Sequence, residues 1–129
     1  DPDNWDENFT DQWQTQVLRQ AQRYPDLPIS SNVKGVVSLY DVTDDWIPIY
    51  DKSDLPGFYM AIGTSGNQFK NAPVAGVLMS ELIEYCERGN DHDNEPLSIN
   101  LKYINKDINL NFYSRNRKVN QESSMSVLG

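Results

Sequence analysis

Chemistry-bearing residue types concentrate in one stretch, Gly63-Thr64-Ser65-Gly66-Asn67-Gln68-Phe69-Lys70-Asn71-Ala72-Pro73. Gly63 and Gly66 permit backbone conformations and close approaches that a side chain blocks. The stretch leads into a segment that reads as a long helix, and a helix N-terminus presents unpaired N–H groups and partial positive charge. Lys70 adds a full positive charge just ahead of it. Together these features make an anion site. Phosphate, a substrate carboxylate and a delocalised anion on a cofactor ring all satisfy it, and an ordinary strand-to-helix turn needs the same glycines. The chain contains neither a Gly-x-Gly-x-x-Gly fingerprint nor a Walker-type loop followed by Lys-Ser/Thr.

Other candidates carry less. His92 is the only histidine and sits in Asp91-His92-Asp93-Asn94-Glu95, which lacks the glycine and distal Glu of a calcium loop. A solvated surface loop is the expectation there, with no metal site. Cys86 lies mid-helix on an apolar face and reads as packing. Trp5, Trp13 and Trp46 read as core or interface anchors, with a pocket wall as the alternative for Trp46. No serine–histidine or cysteine–histidine pairing is expected.

The elements that position the loop follow from periodicity. Phe9, Trp13, Val17 and Ala21 recur every four residues, so 8–24 reads as an amphipathic helix capped by Asn8 and stopped by Pro25 and Pro28. Residues 35–41 are rich in β-branched and aromatic types and read as a strand. Trp46–Tyr50 reads as a second, short or edge strand, because Pro48 cannot donate to a ladder. After a turn over Lys52–Gly57, the apolar run Phe58–Ile62 reads as a buried strand. Pro73–Arg88 is the strongest helix, apolar on most sides through Val74, Val77, Leu78, Met79, Leu82, Ile83 and Tyr85. Asn71 is its expected cap, Pro73 its first turn and Gly89 its stop. Leu97–Ile104 and Ile108–Tyr113 suggest a hairpin turning at 105–107, and the polar tail from Arg115 onward is expected to fray.

The fold class that results is α+β: an N-terminal helix, short mostly antiparallel strands, a strand–glycine loop–long helix unit and a C-terminal hairpin. The net charge of −8 and pI near 4.4 disfavour nucleic acid and anionic membrane surfaces as partners. No apolar run approaches the ~20 residues of a membrane span. A single cysteine excludes an internal disulfide framework and accords with a reducing, cytoplasmic setting. The chain opens Asp1-Pro2-Asp3 without an initiator Met, and the expectation is a piece of a longer protein.

Two segments in order, Tyr40-Asp41-Val42-Thr43-Asp44-Asp45-Trp46-Ile47-Pro48-Ile49 and Gly57-Phe58-Tyr59-Met60-Ala61-Ile62-Gly63 through Pro73, Gly76 and Glu81-Leu82-Ile83, resemble the C-terminal signature of the D-amino-acid oxidase/sarcosine oxidase superfamily, glycine oxidase-like members included. That signature comprises a "Tyr-Asp-x-Thr-Pro-Asp" segment and a later "Gly-x-Ser-Gly-x-Gly-Phe-Lys-x-Ala-Pro" loop, so the resemblance covers about residues 35–88. Phe112–Arg117 is similar, more weakly, to the family's closing strand and its Arg-containing end. Asp44 stands in place of the usual proline, Asn67 of a frequent histidine and Gln68 of a glycine.

The resemblance implies the C-terminal portion of a two-domain FAD-dependent oxidoreductase that oxidises an amine or amino-acid C–N bond. Residues 1–56 would belong to the substrate domain, 57–90 would complete the FAD domain, and 91–129 would form the C-terminal hairpin and tail. Gly63, Ser65, Gly66, Asn67, Gln68, Phe69 and Lys70 would contact the cofactor, with amides of Gly66 to Lys70 and the helix dipole facing the N1–C2=O edge of the flavin. Lys70, the candidate catalytic residue, falls where sarcosine-oxidase-like members grip the substrate carboxylate. No cysteine occupies Val37–Tyr40, where some relatives attach flavin, so non-covalent FAD is implied. Its nucleotide-binding part would lie in the rest of the polypeptide. A small-molecule amine or amino acid and that remaining polypeptide are the expected partners. The competing reading is a stand-alone, non-catalytic α+β binding or interaction module.

Overall fold

Thr10 starts the first helix, α1 (Asp11–Ala21): its Oγ1 accepts the Trp13 N–H at 3.1 Å. Asn8, the expected cap, instead donates its own N–H to Asp6 Oδ1 at 2.9 Å. The helix is correspondingly shorter than 8–24. The computed structural model describes residues 1–28, 30 and 32–126, which divide into two compact units, Asp1–Leu39 and Tyr40–Gly129.

In the first unit the stripe Phe9–Trp13–Val17–Ala21 faces one side of α1, and the Phe9 and Trp13 rings lie 4.7 Å apart. Gly35 abuts the Trp13 ring so closely that a Cβ there would meet it at 2.5 Å. No residue of α1 is fully buried. The strand expected over 35–41 does not form: these residues pair with no other strand, and Val36 is 92 % exposed. β propensity describes fitness for a pleated, half-buried surface, and nothing here supplies that surface.

The second unit is built on two hairpins and a long helix. β1 (Ile49–Lys52) pairs antiparallel with β2 (Tyr59–Ile62), Tyr50 opposite Ala61 and Asp51 opposite Met60. The strand expected over Trp46–Tyr50 begins only at Ile49 and runs on through Lys52: Trp46 is left-handed and Pro48 has no N–H to donate, so both lie outside β1. Gly57, at φ +75°, turns the connection. A short 3-10 helix, Gln68–Asn71, runs directly into α2 (Ala72–Glu87), which Gly89 ends at φ +87° with its N–H on the Cys86 carbonyl. β3 (Ser98–Leu101) and β4 (Lys106–Asn109) form the second hairpin. The turn expected at 105–107 falls earlier, since Lys106 and Asp107 pair with Leu101 and Asn100, and Leu110–Tyr113 is a 3-10 helix rather than strand. The architecture is α+β: two helices and two antiparallel two-stranded sheets among the described residues. No helix among them is long and apolar enough to cross a membrane.

α2 packs on β1, and Tyr50, Leu78, Leu82 and Leu110 form the buried core, flanked by Ala75, Met79, Cys86, Ile99 and Tyr113. Cys86 packs there as its apolar setting implies. Two expectations of burial are not met. β2 exposes Ala61 and Ile62, because a two-stranded sheet covers one face only. α2 buries just Leu78 and Leu82, leaving Val74, Val77 and Ile83 at the surface, so its apolar girdle has a partner on one side alone.

This distribution predicts contrasting truncations. Leu82→Ala removes a side chain with 0 % exposure and should cost about 2–5 kcal/mol. Val77→Ala, at 49 % exposure on the same helix, should cost about 0.5 kcal/mol. Urea midpoints of the two variants measure the difference.

Candidate functional site

The glycine loop is shaped by a carboxylate within the same chain. Gly63, Ser65 and Gly66 take φ values of +69°, +51° and +73°, so three of four consecutive residues turn left-handed. Inside that curve the Gly63 and Thr64 N–H groups donate to Asp41 Oδ2 at 2.8 and 3.0 Å, and the Thr64 hydroxyl donates to Asp41 Oδ1. The Ser65 N–H donates to the Asp41 carbonyl at 2.9 Å. The Thr64 hydroxyl and then its amide hold the Asp41 carboxyl below its ordinary range. Both glycines are needed for space as well as for φ. A Cβ on Gly66 would stand 2.6 Å from the Tyr40 ring, and one on Gly63 2.5 Å from Thr43 Cγ2. The first half of the loop therefore already encloses an anion, the side chain of Asp41.

The second half faces outward. The first turn of a helix leaves its N–H groups without intrahelical acceptors, and here these belong to Gln68 and Phe69. Asn71 stands at the N-cap position of α2 but makes no side-chain cap bond; it takes helical φ and ψ, and its Nδ2 donates to Gln68 Oε1 at 2.9 Å. Gln68 Oε1 also accepts from the Tyr50 hydroxyl at 3.2 Å, and its Nε2 donates to Asn67 Oδ1 at 2.7 Å. An amide chain thus replaces the expected side-chain cap, while Pro73 sits in the first turn as expected. Phe69 is 97 % exposed, and Lys70 is exposed without an ion pair among the described residues. Beside them lies an open groove of about 460 Å³, walled by Gly66, Phe69, Ala61 and Ala72.

Of the cofactor residues named from sequence, Gly66, Asn67, Gln68, Phe69 and Lys70 lie together along this outward half. Gly63 and Ser65 are buried beneath it, and the Ser65 hydroxyl donates to the Gly63 carbonyl at 3.2 Å. Asp41 is the organising residue that spacing did not single out. Its sequence signal is its place in the Tyr40–Asp45 segment that resembles the family signature, which assigned it no role.

A second polar cluster corrects two expectations. The tail beyond Arg115 is anchored through residue 123; residues 127–129 lie outside the described residues. Arg117 donates from Nε and Nη2 to the two oxygens of Asp45 at 3.1 and 2.7 Å, and the Asn120 N–H adds a third bond to that carboxylate. This guanidinium holds the Asp45 carboxyl far below the usual carboxylate range against the opposing effect of burial. Arg115 reaches Asp51, Asp54 and Asp93 at 3.2, 2.6 and 2.8 Å. Asp93, bonded by Arg115 and then Lys52, is held down to about 2. Composition made this segment look like a frayed tail; ion pairing across the fold keeps it in place.

His92, expected in a solvated loop, is 2 % exposed and stacks edge-on against Tyr85. Its Nδ1 accepts the Leu97 N–H at 3.2 Å, so the proton of the neutral ring resides on Nε2. Nε2 has no hydrogen-bond partner among the described residues and stands 3.8 Å from Asp51 Oδ1. Burial pushes the imidazole below its ordinary pKa, outweighing the pull of Asp51 and Asp93. The contact with Asp51 is therefore not an ion pair at neutral pH. No group of three or more His, Cys, Asp or Glu side chains is set to hold a metal among the described residues.

The sign of the pH dependence follows. A histidine depressed in the folded state binds its proton more readily when unfolded, so its contribution is complete above about pH 6.5 and is lost as pH falls below that value. Protonation would also place a donor on Nδ1 facing the Leu97 N–H. Asp93 contributes stability above about pH 4, lost as pH falls toward about 2. In melting temperature against pH, wild type should decline between about pH 6.5 and 5, whereas His92→Asn, which retains an acceptor for Leu97, should be flat there. Comparisons of the chain with protein-family models, curated proteins and solved structures return no match.

Proposed function

We propose that this chain is the C-terminal region of a cytoplasmic FAD-dependent oxidoreductase acting on the C–N bond of an amine or amino acid. One observation carries the reading. The two segments that resemble the D-amino-acid oxidase/sarcosine oxidase signature, far apart in sequence, meet in space through Asp41, whose carboxylate accepts from Gly63 and Thr64. Their meeting turns Gly66–Lys70 and the start of α2 toward an open groove.

The residues present fit a flavin ring. Gly66, Ala61 and Ala72 leave room along a groove of about 460 Å³, and Phe69 offers an aromatic edge. The amides of Gln68 and Phe69, with the α2 dipole behind them, supply positive potential for the pyrimidine edge. Bound FAD would supply the hydride acceptor. Lys70 would orient the substrate by pairing with its carboxylate, and the exposed apolar faces of β2 and α2 would pack against the rest of the polypeptide. Asp41 already occupying the front of the loop favours the competing reading, a structural turn in a stand-alone interaction module, and the tests separate the two.

Lys70→Met in the full-length enzyme should raise KM for a carboxylate-bearing substrate at least tenfold while changing kcat less. Unchanged kinetics would remove the assigned role. The 129-residue chain alone should lose added FAD on dialysis, since it lacks a dinucleotide fingerprint; a retained flavin absorbance band would contradict the division of the site.

A further inference from the structure

Trp46 adopts φ +60°, a left-handed conformation that costs an L-residue about 1–2 kcal/mol and that glycine or asparagine enters more cheaply. It closes a tight turn, its N–H donating to the Thr43 carbonyl at 3.1 Å. The conformation is imposed from both sides. Asp45 is clamped by Thr43 Oγ1, the Ile47 N–H and Arg117, and its carbonyl accepts from the Ser123 hydroxyl. Backbone strain held this firmly on a bulky aromatic marks a place where the side chain itself is used.

Trp46 borders a cavity of about 330 Å³, distinct from the groove beside Phe69, although Tyr50, Gln68 and Ala75 line both. Phe112 and Tyr113 add aromatic walls. Among the described residues no charged one lines it, which suits an uncharged occupant. Hydroxyl residues (Tyr50, Tyr113, Ser123 and Ser124) share its polar lining with amides, and two of the amides have capacity left over. Gln68 Oε1 is taken by Tyr50 and Asn71, but Gln68 retains one Nε2 hydrogen. Asn71 retains Oδ1 and its second Nδ2 hydrogen, a paired acceptor and donor. An amide side chain so disposed pairs with an adjacent N–H and C=O on a flat ring, the way Asn and Gln read base edges.

The geometry points to a binding site for a neutral planar heterocycle with a lactam edge, stacked on Trp46 and paired with Asn71. This assignment does not rest on the flavin reading and survives its failure.

Hypoxanthine is the probe, with indole as a flat ring lacking the lactam edge, both titrated into the 129-residue protein by ligand-observed NMR and calorimetry. Hypoxanthine should bind with a Kd of about 1 mM or tighter, as suits a fragment-sized ligand, and indole at least tenfold more weakly. Asn71→Leu should cost hypoxanthine at least tenfold and leave indole unchanged. Trp46→Gly relieves the strained turn, so it should keep or raise the melting temperature while weakening hypoxanthine at least tenfold. Undetectable hypoxanthine binding, equal affinity for indole, or full affinity in folded Trp46→Gly overturns the assignment.

Discussion

Two carboxylates withdrawn from water, Asp45 and Asp51 at 2 % and 0 % exposure, set the terms for the second unit. A buried charge is tolerated only where a counter-charge and hydrogen bonds replace its hydration. Here those partners come from the far end of the chain. Arg117 meets Asp45, and Arg115 with the Ser114 hydroxyl meets Asp51. The segment after β4 must therefore return to β1. With a core of only four buried hydrophobic side chains among the described residues, this ionic closure is the constraint that selects one arrangement of the two hairpins and α2. Removing one partner of such a pair is worth about 3–5 kcal/mol, on the scale of a small domain's whole stability.

The closure also shapes the surfaces on which function is proposed. Clamping Asp45 fixes the turn that carries Trp46, and it sets the path of the preceding Tyr40–Thr43. Asp41 then holds Gly63 and Thr64, which bends the loop so that Gly66–Lys70 stands outward at the head of α2. An internal anion supports the first half of the loop and leaves the second half open. The same carboxylate chemistry thus serves twice, once to bury a clamp and once to curve a loop.

Local patterning made much of this legible. The periodicity of Val74, Leu78, Leu82 and Tyr85 marks α2 and Gly89 marks its end, because these depend on neighbours within a turn or two. The strand at 35–41 failed for the opposite reason: its composition suits a sheet, but a strand exists only when a partner pairs with it. Asn8 and Asn71 are both good cap residues by type. α1 starts elsewhere because Thr10 has the extended backbone that lets it cap; Asn71 does precede α2, but its side chain is drawn into the amide chain around Gln68 and makes no cap bond.

What the sequence by itself determined is the class and its local devices: an acidic α+β chain, one strong helix, and a glycine loop with a lysine at its head. Only the tertiary structure decided which charges are structural. Asp41, Asp45, Asp51 and Arg117 look like ordinary surface residues in a chain of −8 net charge. His92 likewise looks like part of a hydrophilic loop. Their roles depend on partners as many as 75 positions away, and nothing in spacing encodes that pairing. The physical reason is that burial is a property of the assembled fold. The cost of dehydrating a carboxylate or an imidazole arises only once the chain has closed around it, and the partner that offsets the cost is whichever group that closure brings within hydrogen-bonding reach.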